Sequence, residues 1–428
     1  MKKVLFITYY WPPSGKASIH WPLKMIKYLP EFGWQPIVLT VNKKDVFSKK
    51  DENLLKEIDK SLKVFKTNSY EPFDAYKRFT GKNKDDQLIA SETISKTNDS
   101  LKHKISIWIR MNFFVPDARA GWYFPGVKEG KKLLKNEKFD TIISIGPPHT
   151  AHLIGMKLSK YFKTQHIPVF IDPWVDIAYY KGFKRSKPTL AFDNHLEKKV
   201  LKQADKVIFV THTMNDDYVI KYNFLSKKAH VLYWGYDEES FNRFSGPLPK
   251  EIESGTSTQL QEVIVHAGNI FDFQNVPAFW SRIRKEIDSG RKLKIHFIGS
   301  VSPGIKEAVK KAGLEEHTKY LGFLPYNKMI EELGKASYLL VCATEKRHVP
   351  GKLFEYLRTG KPIIAFGDDN EEVKKIITEA NAGMIFHYNQ DAGEFFENVI
   401  KFNTNISSIK KFDRVNICKE LASIMEIN

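Results

Sequence analysis

The sequence predicts an α/β protein built from two doubly wound domains, and three observations carry that expectation. Short apolar runs alternate with helix-compatible spans in both halves of the chain, which is the rhythm of parallel strands joined by helical crossovers. A segment rich in Pro, Ser, Gly and Thr, Pro247 to Leu260, separates the halves. With 428 residues, the chain is also too long for one ordinary domain.

In the first half, the apolar run Val4 to Tyr9 is followed by Pro12, Pro13, Ser14 and Gly15, a helical span from His20 to Phe32, and a second run from Pro36 to Val41. The pattern returns at Thr141 to Ile145, Val169 to Ile171 and Val207 to Val210. Met1-Lys2-Lys3 ahead of an apolar run could open a signal peptide. Pro12-Pro13 interrupt it early and no small-residue cleavage site follows, so the run reads as a first strand. Between these elements, Asn42 to about Ser106 is polar and Lys-rich and reads as an insertion, with Lys82 to Asp86 and Ser91 to Ser100 as loop. The second half restarts at Val263 to His266, Lys294 to Ile298, His317 to Leu321, Tyr338 to Cys342 and Pro362 to Phe366. The expected domains are 1–245, with an insertion at about 42–120, and 246–405, followed by a helical tail, 406–428, that returns to the first domain. Two such domains facing one another would bind ligand in the cleft at the carboxyl ends of their strands.

The net charge of +17, from 67 basic and 50 acidic residues, favours an anionic partner, either a phosphorylated substrate or an acidic membrane surface. A compositional habit of the genome explains the same excess equally well. The basic and aromatic spacing of nucleic-acid modules is missing, so no nucleic acid is expected as a partner. Two cysteines, Cys342 and Cys418, without metal or redox spacing, fit a reducing cytoplasm. No run approaches a membrane span. Lys102 to Phe114 interleaves Lys102, Lys104 and Arg110 with Ile105, Ile107, Trp108, Ile109, Phe113 and Phe114. Such a helix either packs against its domain, the favoured reading, or lies in an anionic membrane interface on the inner face of the cytoplasmic membrane.

The sharpest local signal is Val349-Pro350-Gly351-Lys352-Leu353-Phe354-Glu355-Tyr356-Leu357, then Gly360-Lys361-Pro362 and a strand. Proline and glycine open a helix after a strand, and the amides of Gly351, Lys352 and Leu353 at such a start can bind diphosphate oxygens. Lys352 adds a mobile charge, and Glu355, one turn on, can accept from two vicinal hydroxyls such as those of a ribose. The alternative is a helix whose Lys and Glu are merely solvated.

This stretch resembles the donor-binding signature of glycosyltransferase family 4, in which a Lys/Arg-x-x-Glu helix start holds the nucleotide and the glutamate matching Glu355 holds the ribose. The resemblance covers nearly the whole chain, least well the insertion. It includes the Pro-Pro-Ser-Gly loop, Asp172-Pro173-Trp174, Glu197 ahead of Ala204 to Ile208, and Gly235-Tyr236-Asp237 with Phe241. It implies the GT-B architecture, two Rossmann-like domains across a cleft. His266-Ala267-Gly268-Asn269 with Gln274-Asn275 is similar to the Gly-Asn…Gln variant of an N-acetylfucosaminyltransferase-like subgroup of surface-polysaccharide assembly. Gly268, Asn269 and Gln274 thereby join the expected donor ligands, with UDP the favoured nucleotide.

Where many members carry Arg and Lys, this chain has Asn269 and Gln274, and where a paired glutamate is usual it has Arg347. Either Arg347 and Lys352 restore the missing positive charge, the preferred reading, or Glu345 takes the sugar-facing role. Gly322-Phe323-Leu324-Pro325 resembles the turn that borders the base. Gly15 lets backbone amides approach phosphates, with Lys16 beside it.

In the first domain His149, after Gly146-Pro147-Pro148, ends a strand and is the candidate catalytic-site group. Its alternative is a histidine capping a helix or packed under the loop, and His152 reads as structural. Asp117 and Arg119, with Asp172 and Trp174, are the acceptor-side candidates. The resemblance implies retaining transfer of a hexosyl or N-acetylhexosaminyl group from a nucleotide-sugar co-substrate to a lipid-linked or surface glycan, with no metal and no further cofactor required. A nucleotide-sugar 2-epimerase of the same fold and a non-enzymatic basic binding protein are the rival readings.

Overall fold

The computed structural model describes residues 1–42, 50–70, 101–177, 183–242 and 261–426. The Lys82 to Asp86 and Ser91 to Ser100 stretches and the Pro247 to Leu260 segment lie outside them. The chain divides into two compact units, Met1–Tyr233 with Cys418–Asn428, and Trp234–Ile417.

The first unit holds a seven-stranded sheet in the order β3-β2-β1-β4-β5-β6-β7. Its strands are β1 (Lys2–Ile7), β2 (Trp34–Val41), β3 (Lys63–Thr67), β4 (Thr141–Gly146), β5 (Gln165–Phe170), β6 (Val207–Phe209) and β7 (Ala229–Val231). Each neighbouring pair is parallel, with Leu5 opposite both Ile37 and Ile142. Central strands of a parallel sheet are covered on both faces, and Val4, Leu5, Phe6 and Ile7 are accordingly all fully buried. One cluster joins Leu5, Ile7, Ile37 and Leu39 to Ile154 and Leu158 of the helix Thr150–Phe162. A Cβ on Gly130 would lie 2.4 Å from Leu158 Cδ1. That glycine therefore lets the helix Tyr123–Asn136 close on its neighbour.

The second unit repeats the plan in six strands, order β10-β9-β8-β11-β12-β13. These are β8 (Glu262–Ala267), β9 (Leu293–Ile298), β10 (Thr318–Gly322), β11 (Tyr338–Cys342), β12 (Ile363–Phe366) and β13 (Gly383–Phe386), all parallel. Phe279, Trp280, Phe297, Phe366 and Phe396 fill its core. The chain then returns to the first unit in the helix Arg414–Glu426, where Cys418, Leu421, Ala422 and Met425 are buried.

Two features differ from the sequence reading. The polar stretch read as an insertion contributes an edge strand, β3, held by Trp122 Nε1 donating to Thr67 Oγ1 at 2.8 Å. The helix Leu101–Phe113 buries Met111 but leaves Ile105, Trp108 and Phe113 at 42%, 50% and 70% exposure, so packing on its own unit does not account for these side chains. Among the described residues no helix is long and apolar enough to cross a membrane.

Candidate active site

Both sheets reverse strand order between their first and fourth strands, at β1 and β4 in one and at β8 and β11 in the other. In open α/β sheets ligands bind at the carboxyl ends of the strands at this reversal, because the flanking loops diverge there and leave a crevice. The loops after these four strands, with the helix Lys352–Thr359 that follows the last of them, carry most of the residues singled out from the sequence.

In the second unit the loop after β8 begins at Gly268, whose φ of +105° suits glycine. The loop after β11 is pinned from beneath. Asn370 Nδ2 donates to the carbonyls of Glu345 and His348 at 2.8 and 2.9 Å, and the Thr344 amide donates to His348 Nδ1 at 3.0 Å. Arg347 lies 3.2 Å from Glu345, each side chain about 15% exposed. The helix Lys352–Thr359 follows, its start at Gly351 closed by no side chain. The Leu353 amide donates to Pro350 O at 2.9 Å and the Phe354 amide to Gly351 O at 3.2 Å, so these two helix-start amides are spent within the turn.

Lys352 and Tyr356 share a face of this helix, being four residues apart, and that face meets the end of β8. Tyr356 Oη accepts from the Ala267 amide at 2.8 Å, and Lys352 Nζ lies 3.2 Å from His266 Nε2. The ammonium sits under the glycine turn: a Cβ on Gly268 would be 2.8 Å from it. Burial lowers the Lys352 pKa to about 8, with Cys342 and Glu355 acting in the opposite sense. Glu355, 5% exposed, accepts from Arg414 Nη2 at 3.3 Å and from Tyr326 Oη at 3.2 Å. Burial pushes its carboxyl pKa up, and Arg414 opposes the shift.

The remaining donor candidates divide. Asn269 is exposed, with Oδ1 accepting from the Ser300 amide at 3.2 Å. Gln274 is 5% exposed and its amide is engaged within the protein, accepting from Phe271 N and donating to Cys342 O and Thr344 Oγ1 at 3.1 to 3.3 Å. It braces the loop after β8 against the end of β11. Phe323 and Leu324 follow Gly322, whose carbonyl accepts from the Gly299 amide at 2.6 Å, so the turn at the end of β10 is tied to the end of β9.

In the first unit the loop after β1 carries Gly15 and Lys16. Lys16 Nζ lies 3.1 Å from Tyr10 Oη and 4.3 Å from its ring centroid. Burial alone would raise the Tyr10 pKa, but Lys16 and Arg119 outweigh it and bring the phenol to about 8. Arg119 also covers the Tyr9 ring at 5.0 Å. Asp117 serves the neighbouring backbone: Oδ2 accepts from Thr150 N at 2.9 Å and Oδ1 from Thr150 Oγ1 at 3.0 Å, capping the helix after β4.

His149 closes the loop after β4, 4% exposed and stacked on Trp174 at 4.8 Å with the ring planes 4° apart. Neither ring nitrogen makes a well-formed hydrogen bond among the described residues. Burial lowers its pKa to about 3, the Pro173 carbonyl opposing, so the ring is neutral at ordinary pH. Trp174 is locked by Nε1 donating to Asp193 Oδ1 at 2.7 Å, which makes it a support for His149. Asp172 is half-buried just past the end of β5. His152 belongs to a buried chain, with Ser144 Oγ 2.9 Å from its Nδ1 and 2.8 Å from His166 Nε2.

Sequence reasoning missed His266, Tyr326 and Arg414. His266, next to last in β8, stood in the His266 to Asn269 stretch quoted from the sequence but was given no role there, whereas Arg414 sits in no motif and meets Glu355 only through the fold. Among the described residues no group of three or more His, Cys, Asp or Glu is placed to hold a metal ion.

Residues 92–240 match the family described as Glycosyltransferase Family 4, and residues 261–405 match Glycosyl transferases group 1. No curated protein matches the chain. Among solved structures it is similar to HepE of Anabaena in complex with UDP and glucose, at 12% identity over 99% of each chain and a TM-score of 0.62. It is also similar to a glycosyltransferase of Rickettsia africae (15% identity, 99% of this chain and 93% of that one, TM-score 0.57). Sucrose-phosphate synthase of Thermosynechococcus elongatus is another (11% identity, 99% and 94%, TM-score 0.57). At these identities the solved structures speak for the fold, and the two family matches, one in each unit, speak for the activity. Two parallel-sheet units, each with its own family match, make this chain a glycosyltransferase of the GT-B type.

Proposed function

We propose that the chain transfers a hexosyl or N-acetylhexosaminyl group, with retention of configuration, from a UDP-sugar to a hydroxyl of a lipid-linked or surface glycan. The observation that carries the donor half is the helix opening at Gly351, which sets Lys352 under the glycine turn after β8 and Glu355 one turn deeper. The uncapped start and Lys352 suit a diphosphate, and the Glu355 carboxylate suits a ribose diol. UDP is favoured because HepE, which has this fold, is described in complex with UDP and with UDP-glucose. The Gly268-Asn269 variant favours an N-acetylamino or deoxy sugar.

In this reading the protein stabilises charge. As the diphosphate leaves, negative charge grows on its oxygens, and Lys352, with Arg347 from the loop after β11, lowers the energy of that state more than of the bound donor. Phe323 and Leu324 border the base. His149, neutral and backed by Trp174, offers one donor and one acceptor nitrogen to the sugar or acceptor hydroxyl, with Arg119 and Asp172 beside the acceptor. The helix Leu101–Phe113, with its exposed Trp108 and Phe113, supports peripheral attachment to an anionic membrane on the cytoplasmic side.

Thermal-shift measurement against UDP-, GDP-, ADP- and CMP-sugars tests the donor half, since a ligand that binds only the folded state raises Tm. A rise confined to UDP-sugars is expected, and a rise confined to another base would overturn the assignment. Anomeric coupling constants of the product test retention, which an inverted product would contradict.

A further inference from the structure

Lys352 is held by a residue that neither the donor-helix motif nor the family match singles out. His266, the fifth residue of β8, is fully buried, and its Nδ1 lies 3.0 Å from the Leu340 carbonyl oxygen. A carbonyl can only accept, so Nδ1 carries the proton and Nε2 presents a lone pair. That lone pair points at Lys352 Nζ, 3.2 Å away. The bond therefore runs from the ammonium to the ring, and the tautomer that permits it is fixed from the far side by β11.

We propose that His266 is a positioning residue, which keeps the Lys352 side chain charged and aimed under the Gly268 turn. The proposal rests on the reading of Lys352 as the diphosphate contact. The helix has an independent anchor in the Ala267 amide to Tyr356 Oη bond, so losing the histidine contact alters the ammonium and leaves the helix in place.

The other titratable groups facing Lys352 do not obscure its titration. Cys342 at the end of β11 is pushed by burial up to about 12, with Lys352 opposing. His348, from the loop after β11, is lowered to about 4, chiefly by burial and then by Lys352. Burial and then Lys352 hold His266 itself well below the ordinary histidine range, with the Leu340 and Asn269 carbonyls opposing. Cys342 and then Glu355, on the same helix, support the ammonium against burial. An alkaline step near 8 at this cluster is thus the Lys352 ammonium losing its proton.

Two substitutions separate positioning from support of the fold. Asparagine sets its amide nitrogen where Nδ1 was, keeping the bond to Leu340 O and losing the acceptor for Lys352. Glutamine sets an amide oxygen near the place of Nε2, keeping that acceptor. The Lys352 pKa is read by trace labelling with acetic anhydride across pH, following the Lys352 peptide by mass spectrometry, in wild type, His266→Asn and His266→Gln, each with and without UDP. Melting temperatures are measured alongside.

Loss of a hydrogen bond to a charged group should move the Lys352 midpoint down by about one to two pH units in His266→Asn. His266→Gln should keep it near the wild-type value. The alkaline limb of kcat/KM should move with it, since that limb reports the free enzyme. A Lys352 midpoint equal in all three folded proteins, or lower in the glutamine variant than in the asparagine one, would overturn the proposal. UDP is expected to slow acetylation of Lys352. If it does not, while the midpoints move as stated, the donor-site reading fails and the pairing stands.

Discussion

Arg414 Nη2 donates to Glu355 Oε1 at 3.3 Å, joining residues 59 apart in the chain, one 0% and the other 5% exposed. The same guanidinium donates through Nε to the Trp234 carbonyl at 3.3 Å. A buried carboxylate without a charged partner is costly, and Arg414 opposes the upward shift that burial imposes on the Glu355 carboxyl.

Arg414→Met should therefore destabilise the protein by about 3 to 5 kcal/mol, because it leaves the buried Glu355 carboxyl without its charged partner. The double variant Arg414→Met/Glu355→Gln should recover more than half of that loss. Urea unfolding of the wild type, both single variants and the double variant measures the coupling. Additive effects within about 0.5 kcal/mol would mean the pair does not interact.

His149 is expected to act as a neutral group. Its pKa falls from 6.5 to about 3 on burial, so the unfolded chain takes up a proton at higher pH than the folded one. Its contribution to stability is intact above 6.5 and is lost as the pH falls towards about 3, at roughly 1.4 kcal/mol per pH unit. His149→Ala should lessen the acid sensitivity of unfolding, leave UDP affinity within about twofold, and lower turnover by about 100-fold or more. Unfolding curves from pH 4 to 7, calorimetry and steady-state rates measure the three. A large loss of UDP affinity with unchanged turnover would place His149 elsewhere.

Membrane attachment should depend on Trp108 and Phe113, at 50% and 70% exposure. In flotation with liposomes containing anionic lipid, the wild type should rise with the vesicles, and Trp108→Ala/Phe113→Ala should bind at least about tenfold less. Each buried aromatic contributes of order 1.5 to 3 kcal/mol. Binding indifferent to both lipid charge and these residues would contradict attachment through this helix.

What the sequence made legible was set by range. Val4 to Tyr9 and Tyr338 to Cys342 announce central strands because burial on both faces demands unbroken apolar runs. Lys63–Thr67 hid because an edge strand flanked by lysines looks like the polar stretch around it. Ala229–Val231 and Gly383–Phe386 are short edge strands, the latter opening on a glycine at φ +151°. At the candidate site, the helix start at Lys352 was readable because proline, glycine, lysine and glutamate fall within six residues. The partners of that helix were not, since Lys352 meets His266 from 86 residues away and Arg414 meets Glu355 from 59. Gln274 shows the converse: its place in the Gly-Asn…Gln motif marked it as a donor ligand, but the fold turns its amide inward onto Cys342 and Thr344.

The helix Lys352–Thr359 as the donor site is the central claim, and UDP titration by calorimetry across wild type, Glu355→Gln and Lys352→Met, beside steady-state rates, tests it most directly. Glu355→Gln should bind UDP about 10- to 150-fold more weakly, as charge-assisted hydrogen bonds contribute roughly 1.5 to 3 kcal/mol. Lys352→Met should lose more in turnover than in affinity, because the charge it meets grows as the diphosphate departs. Wild-type affinity in Glu355→Gln together with full turnover in Lys352→Met would contradict the account, leaving the helix as scaffold.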